Sequence, residues 1–322
     1  MRLVAISEDR LDPSFGWFTL GPPLLKGLAS RQDSVLVSAP RLRWADRSDW
    51  GRAVNSVRGA DVLFWLQWSS RPELPVWLLG ATAPRARRVA YICDPWRQSL
   101  SKIGLLSRLQ RFDPCFVTYR EAYEELTLRF PKGRFEWLPT GVDIDTFKPT
   151  TGKRDIFAYW MGRRFEPLHK ALMRYCTDRG LEYRYTQLGV KPRFGESAEL
   201  ASRARYFVVT PPDLDNPART GGFSPLVMRY LEGLAAGARL LGALPRSGEY
   251  DRLLPRDAIL EVSPDGEDLA KKLDVDAASG GNFEAVERAR DLVRSHHSWA
   301  KRAEQIYARV TEDRSSPFDP KA

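Results

Sequence analysis

Short runs of β-branched and aromatic residues alternate with helical patterns along nearly the whole chain, and this alternation constrains the fold more than any other feature. Such runs, bounded by glycine, proline and polar residues, predict strands. In the first half they occupy residues 3–7, 33–38, 61–67, 88–92, 115–118 and 135–138. In the second half they occupy residues 156–162, 181–187, 205–210, 238–242 and 258–262. Because helical patterns separate them, the sequence predicts the α/β class, with parallel sheets covered by helices on both faces.

Two alternating stretches of this kind meet at a segment rich in proline and glycine. Residues 139–149 begin and end with proline, and a charged run follows over 150–155. This composition is typical of a linker, and a chain of 322 residues is long enough for two domains. We therefore expect two doubly wound Rossmann-like domains, 1–148 and 149–322, that face each other across a cleft. Ligands of such domains bind at the carboxyl ends of the strands.

The segment 221–237 combines a glycine loop with a short helical pattern between two predicted strands. Ser224 suits the N-cap of this helix, and Pro225 suits its first turn. The apolar residues share one face that would pack on the sheet, whereas Arg229 and Glu232 point the other way. The loop and the helix start would offer backbone N–H groups to a phosphate. A plain crossover helix with a charged solvent face fits the same pattern.

The net charge and the cysteine content limit the binding partners and the cellular compartment that we expect. The net charge of +9 favours nucleic acid, an anionic membrane surface or a phosphorylated substrate, unless the charge is spread evenly over the surface. The three cysteines are far apart and only three histidines exist, so neither a metal site nor a disulfide framework is expected. No apolar run approaches the ~18 residues of a membrane span. The N-terminal residues turn acidic too early for a signal peptide, which favours the cytoplasm, with peripheral contact at the inner membrane surface as a further expectation.

A family resemblance emerges at the linker. Residues 138–149, Leu-Pro-Thr-Gly-Val-Asp-Ile-Asp-Thr-Phe-Lys-Pro, resemble the interdomain signature P-N-G-V-D-x-x-x-F-x-P of retaining GT-B glycosyltransferases of the group 1 (family 4) type, with Thr140 in place of the asparagine. Gly162-Arg163 looks like the family's strand-end Gly-Arg pair. Residues 231–237 look like its L-E-A-M-A-x-G motif, and Ser298-Trp299 looks like the start of its closing helix. The resemblance implies a GT-B fold whose final helix crosses back to the first domain.

Three departures mark the chain as a divergent member of that family. The family carries E-x7-E, but Ser224 stands where the first glutamate is expected and only the second, Glu232, is present. The lysine that usually follows the arginine falls on Leu168, with His169-Lys170 just beyond it. The family's histidine-aspartate pair in the first domain is replaced by Cys93-Asp94. Such changes imply either a substrate different from those of the family or a loss of activity.

The resemblance also implies transfer of a sugar from a nucleotide-sugar donor to a hydroxyl group, without a bound metal or another cofactor. Arg163, with Lys170 as a second candidate, would bind the diphosphate and stabilise the charge of the leaving group. Glu232 would accept hydrogen bonds from the ribose hydroxyls. Asp94 would orient the acceptor or accept its proton. The remaining candidates for donor binding are Gly16, Gly221, Gly222, Phe223, Ser224 and Arg229.

Other interpretations of these residues stay open. Glu232 also fits a surface glutamate paired with Arg229. Lys170 fits a solvated helix lysine, and Asp94 fits a turn residue before proline. Asp213-Leu214-Asp215 spells D-x-D, but its Pro/Asn surroundings are typical of a polar loop. The acceptor would be a saccharide, a lipid-linked glycan or modified DNA, and the alternative to an enzyme is a non-catalytic glycan- or nucleic-acid-binding protein on the same scaffold.

Overall fold

The computed structural model describes residues 1–7, 21–31, 33–39, 47–68, 74–187 and 195–311. The chain forms two compact units. One contains Met1–Thr140 together with the C-terminal residues from Trp299 onward, and the other contains Gly141–Ser298. The candidate residue Gly16 lies outside the described residues.

The first unit is built on one parallel sheet. Its strands are β1 (Leu3–Ser7), β2 (Val35–Ser38), β3 (Val62–Trp68), β4 (Arg87–Cys93), β5 (Cys115–Val117) and β6 (Phe135–Trp137). Its helices, apart from the last one of the chain, are α1 (Pro22–Ala29), α2 (Arg47–Val57), α3 (Leu74–Ala81), α4 (Leu100–Gln110) and α5 (Arg120–Arg129). The strand order is β2-β1-β3-β4-β5-β6. Residues of β3 and β4 dominate the core, as expected for central parallel strands with helices on both faces.

The second unit repeats this architecture with five parallel strands. They are β7 (Ile156–Trp160), β8 (Tyr183–Tyr185), β9 (Ala204–Val209), β10 (Arg239–Gly242) and β11 (Ile259–Glu261). The helices are α6 (Glu166–Asp178), α7 (Glu196–Arg203), α8 (Pro212–Asp215), α9 (Pro217–Thr220), α10 (Met228–Ala235), α11 (Glu249–Leu253), α12 (Leu269–Ala278) and α13 (Phe283–His296). The strand order is β11-β10-β9-β7-β8. Within the described ranges, no helix of either unit is long and apolar enough to cross a membrane.

Both sheets have the doubly wound order in which the chain starts in the middle, steps to one side and then returns to the other. The first sheet changes direction between β1 and β3, and the second changes direction between β7 and β9. In doubly wound folds the crevice that binds ligands opens outside the carboxyl ends of the strands at this switch point. The ends of β7 and β9 are therefore the place in the second unit where a site is expected.

The last helix, α14 (Trp299–Thr311), belongs to the first unit. It packs so closely on α1 that a Cβ at Gly27 would lie 2.9 Å from the Cβ of Ala303. At its far end, Arg309 binds both carboxylate oxygens of Glu136 in β6, with nitrogen–oxygen distances of 2.7 and 3.0 Å. The pair is largely buried, so α14 is fixed to the first sheet by packing and by a bidentate ion pair.

The linker segment is part of the second unit. The Val142 N–H donates to the carbonyl of His297 over 2.9 Å, and Val142 pairs with Ser298 in a parallel bridge. Phe147 is 3% exposed. The division between the units falls after Thr140, and thus before the expected boundary at residue 148, because residues 141–147 are ordered by these contacts.

The helix of the glycine segment begins later than the sequence predicts. Residues 223–227 are not helical, and α10 starts at Met228 with Val227 as its N-cap. Ser224 is therefore not the N-cap; its hydroxyl accepts a hydrogen bond of 3.1 Å from the Arg246 N–H. The N–H of Leu226 donates to Glu249 Oε2. These bonds to residues more than twenty positions away hold the segment out of the helix.

Candidate functional site

The second unit gathers charged side chains at the carboxyl ends of β7 and β9. Gly162 and Arg163 follow β7, and Thr210 and helix α8 follow β9. Gly162 has a φ of +84°, and a Cβ at this position would lie 2.5 Å from Nη2 of Arg229. Glycine thus allows both the turn at the end of β7 and the close approach of the Arg229 guanidinium.

Arg163, the candidate ligand of the diphosphate, is oriented by contacts at both its side chain and its backbone. Its Nε lies 3.4 Å from Oδ2 of Asp215 in α8. Its carbonyl oxygen accepts a hydrogen bond of 3.1 Å from Nε1 of Trp160. The side chain of Arg163 is 39% exposed, whereas that of Asp215 is 12% exposed. The guanidinium is therefore open to a ligand, but a protein carboxylate already neutralises part of its charge.

Asp213 of α8 makes a corresponding ion pair. Its Oδ2 lies 2.8 Å from Nη2 of Arg246, and its side chain is only 4% exposed. The interpretation of Asp213 and Asp215 as polar loop residues is therefore wrong, because both lie in a short helix and pair with arginines that are distant in sequence. The sequence signal for this helix is Pro212 at its first position, shortly after β9, and no local pattern indicates the two ion pairs.

The N–H groups of the glycine loop donate hydrogen bonds to acceptors within the same segment of the chain. Gly221 and Gly222 have φ values of +64° and +90° and turn the chain after α9. The Gly221 N–H donates to the carbonyl of Pro217 over 3.0 Å, and the Gly222 N–H donates to Thr220 Oγ1 over 3.3 Å. Phe223 and Ser224 are buried. The expected presentation of the two glycine N–H groups to a phosphate is therefore not seen, because each already has an acceptor within the loop.

Glu232 on α10 is the most unusual group in this region. It is 4% exposed, and within the described part of the chain its carboxylate accepts no hydrogen bond and forms no ion pair. Burial raises its pKa from the ordinary value of 4.5 to about 7, against a smaller lowering effect from Arg229. Two alternative interpretations, a surface glutamate paired with Arg229 and a charged solvent face on α10, are therefore wrong for Glu232.

Arg229 stands one turn before Glu232 and is similarly isolated. Its guanidinium lies against Gly162, and it has neither a hydrogen bond nor an ion pair among the residues that the structure describes. A buried acid without a donor and a half-buried guanidinium without an acceptor are costly in a folded protein. Groups of this kind at a switch point are typical of a binding site.

Tyr159 is a polar residue of this region that the sequence interpretation missed. The hydroxyl of Tyr159, near the end of β7, is 3.3 Å from Thr186 Oγ1. Burial raises the pKa of Tyr159, hydrogen bonds with Ser197 and Thr186 lower it, and the charge of Glu232 raises it further. The hydroxyl of Tyr159 therefore interacts electrostatically with the Glu232 carboxylate. No pattern in the sequence distinguishes Tyr159 from an ordinary core tyrosine.

Two further candidates have ordinary structural surroundings. Lys170 Nζ is 3.7 Å from Glu166 Oε1, one helical turn away, and both side chains are well exposed. Its neighbour His169 is buried, and its Nδ1 shares a hydrogen bond of 2.7 Å with the Tyr183 hydroxyl. Burial lowers the pKa of His169, and the charge of Arg164 lowers it further. Lys170 thus has the surroundings of a solvated helix lysine.

Asp94 belongs to the first unit, at the carboxyl end of β4. Its backbone has a φ of 55°, a left-handed conformation that is uncommon for a residue other than glycine. The Tyr119 hydroxyl donates to its Oδ1 over 2.5 Å. Burial raises the pKa of the preceding thiol, Cys93, and the charge of Asp94 raises it further. Asp94 is therefore held in a fixed orientation beside a neutral thiol, and strain of this kind is common at functional sites.

The comparisons with known proteins agree with the fold. Residues 170–308 match a family model described as glycosyl transferase-like. HepE from Anabaena, solved in complex with UDP and glucose, is similar in structure with a TM-score of 0.61 and 11% identity over 97% of this chain and 100% of that chain. Sucrose-phosphate synthase from Thermosynechococcus elongatus has a TM-score of 0.57 and 15% identity over 97% and 99%. UDP-GlcNAc 2-epimerase from Methanocaldococcus jannaschii has a TM-score of 0.54 and 10% identity over 97% and 99%. No curated protein matches the sequence.

Proposed function

We propose that this chain is a divergent GT-B glycosyltransferase and that it transfers a sugar from a nucleotide-sugar donor to a hydroxyl group of an acceptor. The glycosyl transferase-like family model over residues 170–308 and the similarity in fold to HepE support this. The observation that carries the proposal is the buried carboxylate of Glu232, which accepts no hydrogen bond from any residue that the structure describes. A buried acid with no donor among its neighbours is satisfied by a ligand that brings donors of its own. The 2′- and 3′-hydroxyls of a ribose are such donors, and Glu232 occupies the family position for them.

Two arginines, Arg229 on α10 and Arg163 after β7, would supply the charge that a donor diphosphate requires. Arg229 lies against the backbone at the end of β7, and Arg163 follows directly after Gly162 on the same loop. Their guanidinium groups would bind the diphosphate and stabilise the negative charge that develops as the sugar leaves. Asp215, whose Oδ2 lies 3.4 Å from Nε of Arg163, would compete with the diphosphate for this guanidinium.

Several finer features of the reaction are proposals of the same kind. We propose a UDP-sugar as donor, which the complexes of Anabaena HepE with UDP and with UDP-glucose support. The reaction would be retaining and independent of metal, and Asp94 would orient the acceptor hydroxyl or accept its proton. The protein would act in the cytoplasm on a saccharide, a lipid-linked glycan or modified DNA.

One observation favours a second candidate, a donor-binding protein without transferase activity. Ser224 replaces the first glutamate of E-x7-E, and its hydroxyl is buried and bonded to the Arg246 backbone. It therefore cannot take the place of a carboxylate near the donor sugar. Such a protein would keep Glu232 and both arginines for nucleotide binding.

The test is thermal stabilisation and slow hydrolysis with a panel of UDP-, GDP-, ADP- and dTDP-sugars. The wild type is compared with Glu232→Ala and with a control, Glu287→Ala, whose side chain is exposed on α13. One nucleotide-sugar should raise the melting temperature and be hydrolysed, with both effects lost only in Glu232→Ala. Stabilisation without hydrolysis or transfer would favour the non-catalytic protein, and the absence of any stabilisation would refute donor binding.

A further inference from the structure

Helix α8 carries a second buried carboxylate close to the candidate site. The side chain of Asp213 is 4% exposed, and its Oδ2 lies 2.8 Å from Nη2 of Arg246. Its other oxygen, Oδ1, is buried and has no hydrogen-bond partner among the residues that the structure describes. The ion pair therefore satisfies one oxygen of the carboxylate, whereas the other is a buried acceptor without a donor, which is costly in a folded protein.

The contacts of Asp213 and Arg246 place this pair beside the candidate binding groups. Asp213 follows β9 at the switch point of the second sheet. Two residues further along α8, Oδ2 of Asp215 lies 3.4 Å from Nε of Arg163. The backbone N–H of Arg246 donates to the Ser224 hydroxyl over 3.1 Å. The pair therefore connects helix α8, which contacts Arg163, with the segment in which Ser224 stands in place of a glutamate.

The charges of the pair indicate what kind of group it can bind. Asp213 is negatively charged, so the pair is unfavourable for a phosphate and for the carboxylate of an acidic sugar. A hydroxyl group is neutral and both donates and accepts hydrogen bonds. It can donate to Oδ1 of Asp213 and accept from the guanidinium of Arg246, whose side chain is 67% exposed. A neutral sugar, which carries several hydroxyl groups, therefore satisfies both partners at once.

We propose that Asp213 and Arg246 bind hydroxyl groups of a neutral donor sugar and thereby determine which sugar the protein accepts. This inference rests on the proposed function, since it takes a nucleotide-sugar as the ligand. The sugar of such a donor is attached to its diphosphate, and Asp215 connects α8 to Arg163, which would bind that diphosphate. Asp213 then supplies the carboxylate for the sugar that Ser224 cannot supply.

The test is calorimetric titration of the full chain with UDP, with the neutral donors UDP-glucose and UDP-galactose, and with UDP-glucuronic acid. Asp213→Asn keeps the shape of the side chain and removes its charge. Arg246→Lys keeps the ion pair and removes the planar guanidinium, so it remains informative if the loss of the pair unfolds the protein. The control is Asp251→Asn, because Asp251 pairs with Arg256 on the same unit but is 55% exposed. Melting temperatures show whether each variant is folded.

Asp213→Asn should bind the preferred neutral UDP-sugar about tenfold more weakly than the wild type does, because it loses a hydrogen bond to a charged acceptor. Its affinity for UDP should be unchanged, and it should discriminate less against UDP-glucuronic acid. Arg246→Lys should weaken binding of the same neutral UDP-sugar about threefold and still discriminate against the acidic one, because Asp213 keeps its charge. The control should bind every ligand like the wild type.

Three results would overturn the inference while leaving the proposed function intact. They are a wild type that binds UDP-glucuronic acid as tightly as the better neutral donor, an Asp213→Asn protein with unchanged affinity for that neutral donor, and an Asp213→Asn protein that loses UDP and UDP-sugar equally. The last result would mean that the pair acts on the nucleotide or on the fold. Wild-type protein that binds neither UDP nor any UDP-sugar would refute the UDP-sugar donor, and this inference with it.

Discussion

The burial of Glu232 leads to a quantitative prediction for how the free energy of unfolding changes with pH. Its pKa in the folded protein is about 7, against an ordinary value of 4.5, because burial disfavours the charged form. Between these two values the folded state binds more protons than the unfolded state, so the free energy of unfolding falls as the pH rises. Below this window the carboxyl is neutral in both states, and above it the full penalty is present.

The size of the penalty follows from the two pKa values. At about 1.36 kcal/mol for each pH unit between 4.5 and 7, ionised Glu232 costs the fold about 3 kcal/mol above pH 7. Glu232→Gln keeps the shape of the side chain and removes the charge. The variant should therefore match the wild type at pH 4 and exceed its stability by about 3 kcal/mol at pH 8, which corresponds to about 6–12 °C in melting temperature for a unit of this size.

The measurement is the melting temperature of both proteins without ligand, by calorimetry at half-unit steps from pH 4 to pH 8. Glu287→Gln serves as the control, because it removes an exposed carboxylate from the same unit. The control should show no comparable pH-dependent gain. A Glu232→Gln protein that is less stable than the wild type at pH 8, or that differs from it equally at all pH values, would refute the reasoning.

Three other changes test separate parts of the structure. Asp215→Asn should strengthen binding of the donor nucleotide by about 3- to 10-fold, because it removes the Asp215 carboxylate that competes for Arg163; calorimetric titration measures this, and weaker binding would contradict it. Gly242→Ala should cost more than about 3 kcal/mol in urea unfolding, because φ is +147° and the new Cβ would collide with the Val209 carbonyl oxygen; a loss below 1 kcal/mol would contradict it. Arg309→Ala should destabilise the first unit by about 3 kcal/mol, since it leaves Glu136 largely buried without its bidentate partner; a double-mutant cycle with Glu136→Gln should show a coupling energy, and additivity would contradict it.

Much of the fold was predictable because its strands carry strong local signals. The run 61–67 became β3, Val62–Trp68, whose residues 62–67 are all buried. Parallel strands in the middle of a sheet must be apolar on both faces, so such runs stand out without any knowledge of distant contacts. The two alternating stretches then predicted two doubly wound units, which the similarity to GT-B structures confirms.

Long-range hydrogen bonds explain where local reasoning failed. Ser224 and Pro225 carry valid signals for a helix start, but Glu249 takes the Leu226 N–H and Arg246 donates its own N–H to Ser224. Both partners lie in the connection after β10 and have no counterpart in the local pattern. Sequence propensities are weak compared with several tertiary bonds, so the helix begins four residues after Ser224, at Met228.

Local sequence reasoning also fails at the candidate site, where distant contacts decide the surroundings of Glu232. The helical pattern places Glu232 on the side of α10 away from its sheet, and such a pattern does not tell what covers that side. The structure buries Glu232 where the charge of its carboxylate reaches the Tyr159 hydroxyl on β7. The resemblance of residues 231–237 to a family motif made Glu232 a candidate, and only the fold shows that it is buried with no hydrogen-bond donor among the described residues. An ionised carboxylate without a donor weakens the unligated protein, and the same missing donor is what a ribose would supply. The predicted gain in stability of Glu232→Gln at pH 8 and the predicted loss of donor binding in Glu232→Ala are therefore two consequences of one arrangement, as expected where stability is given up for function.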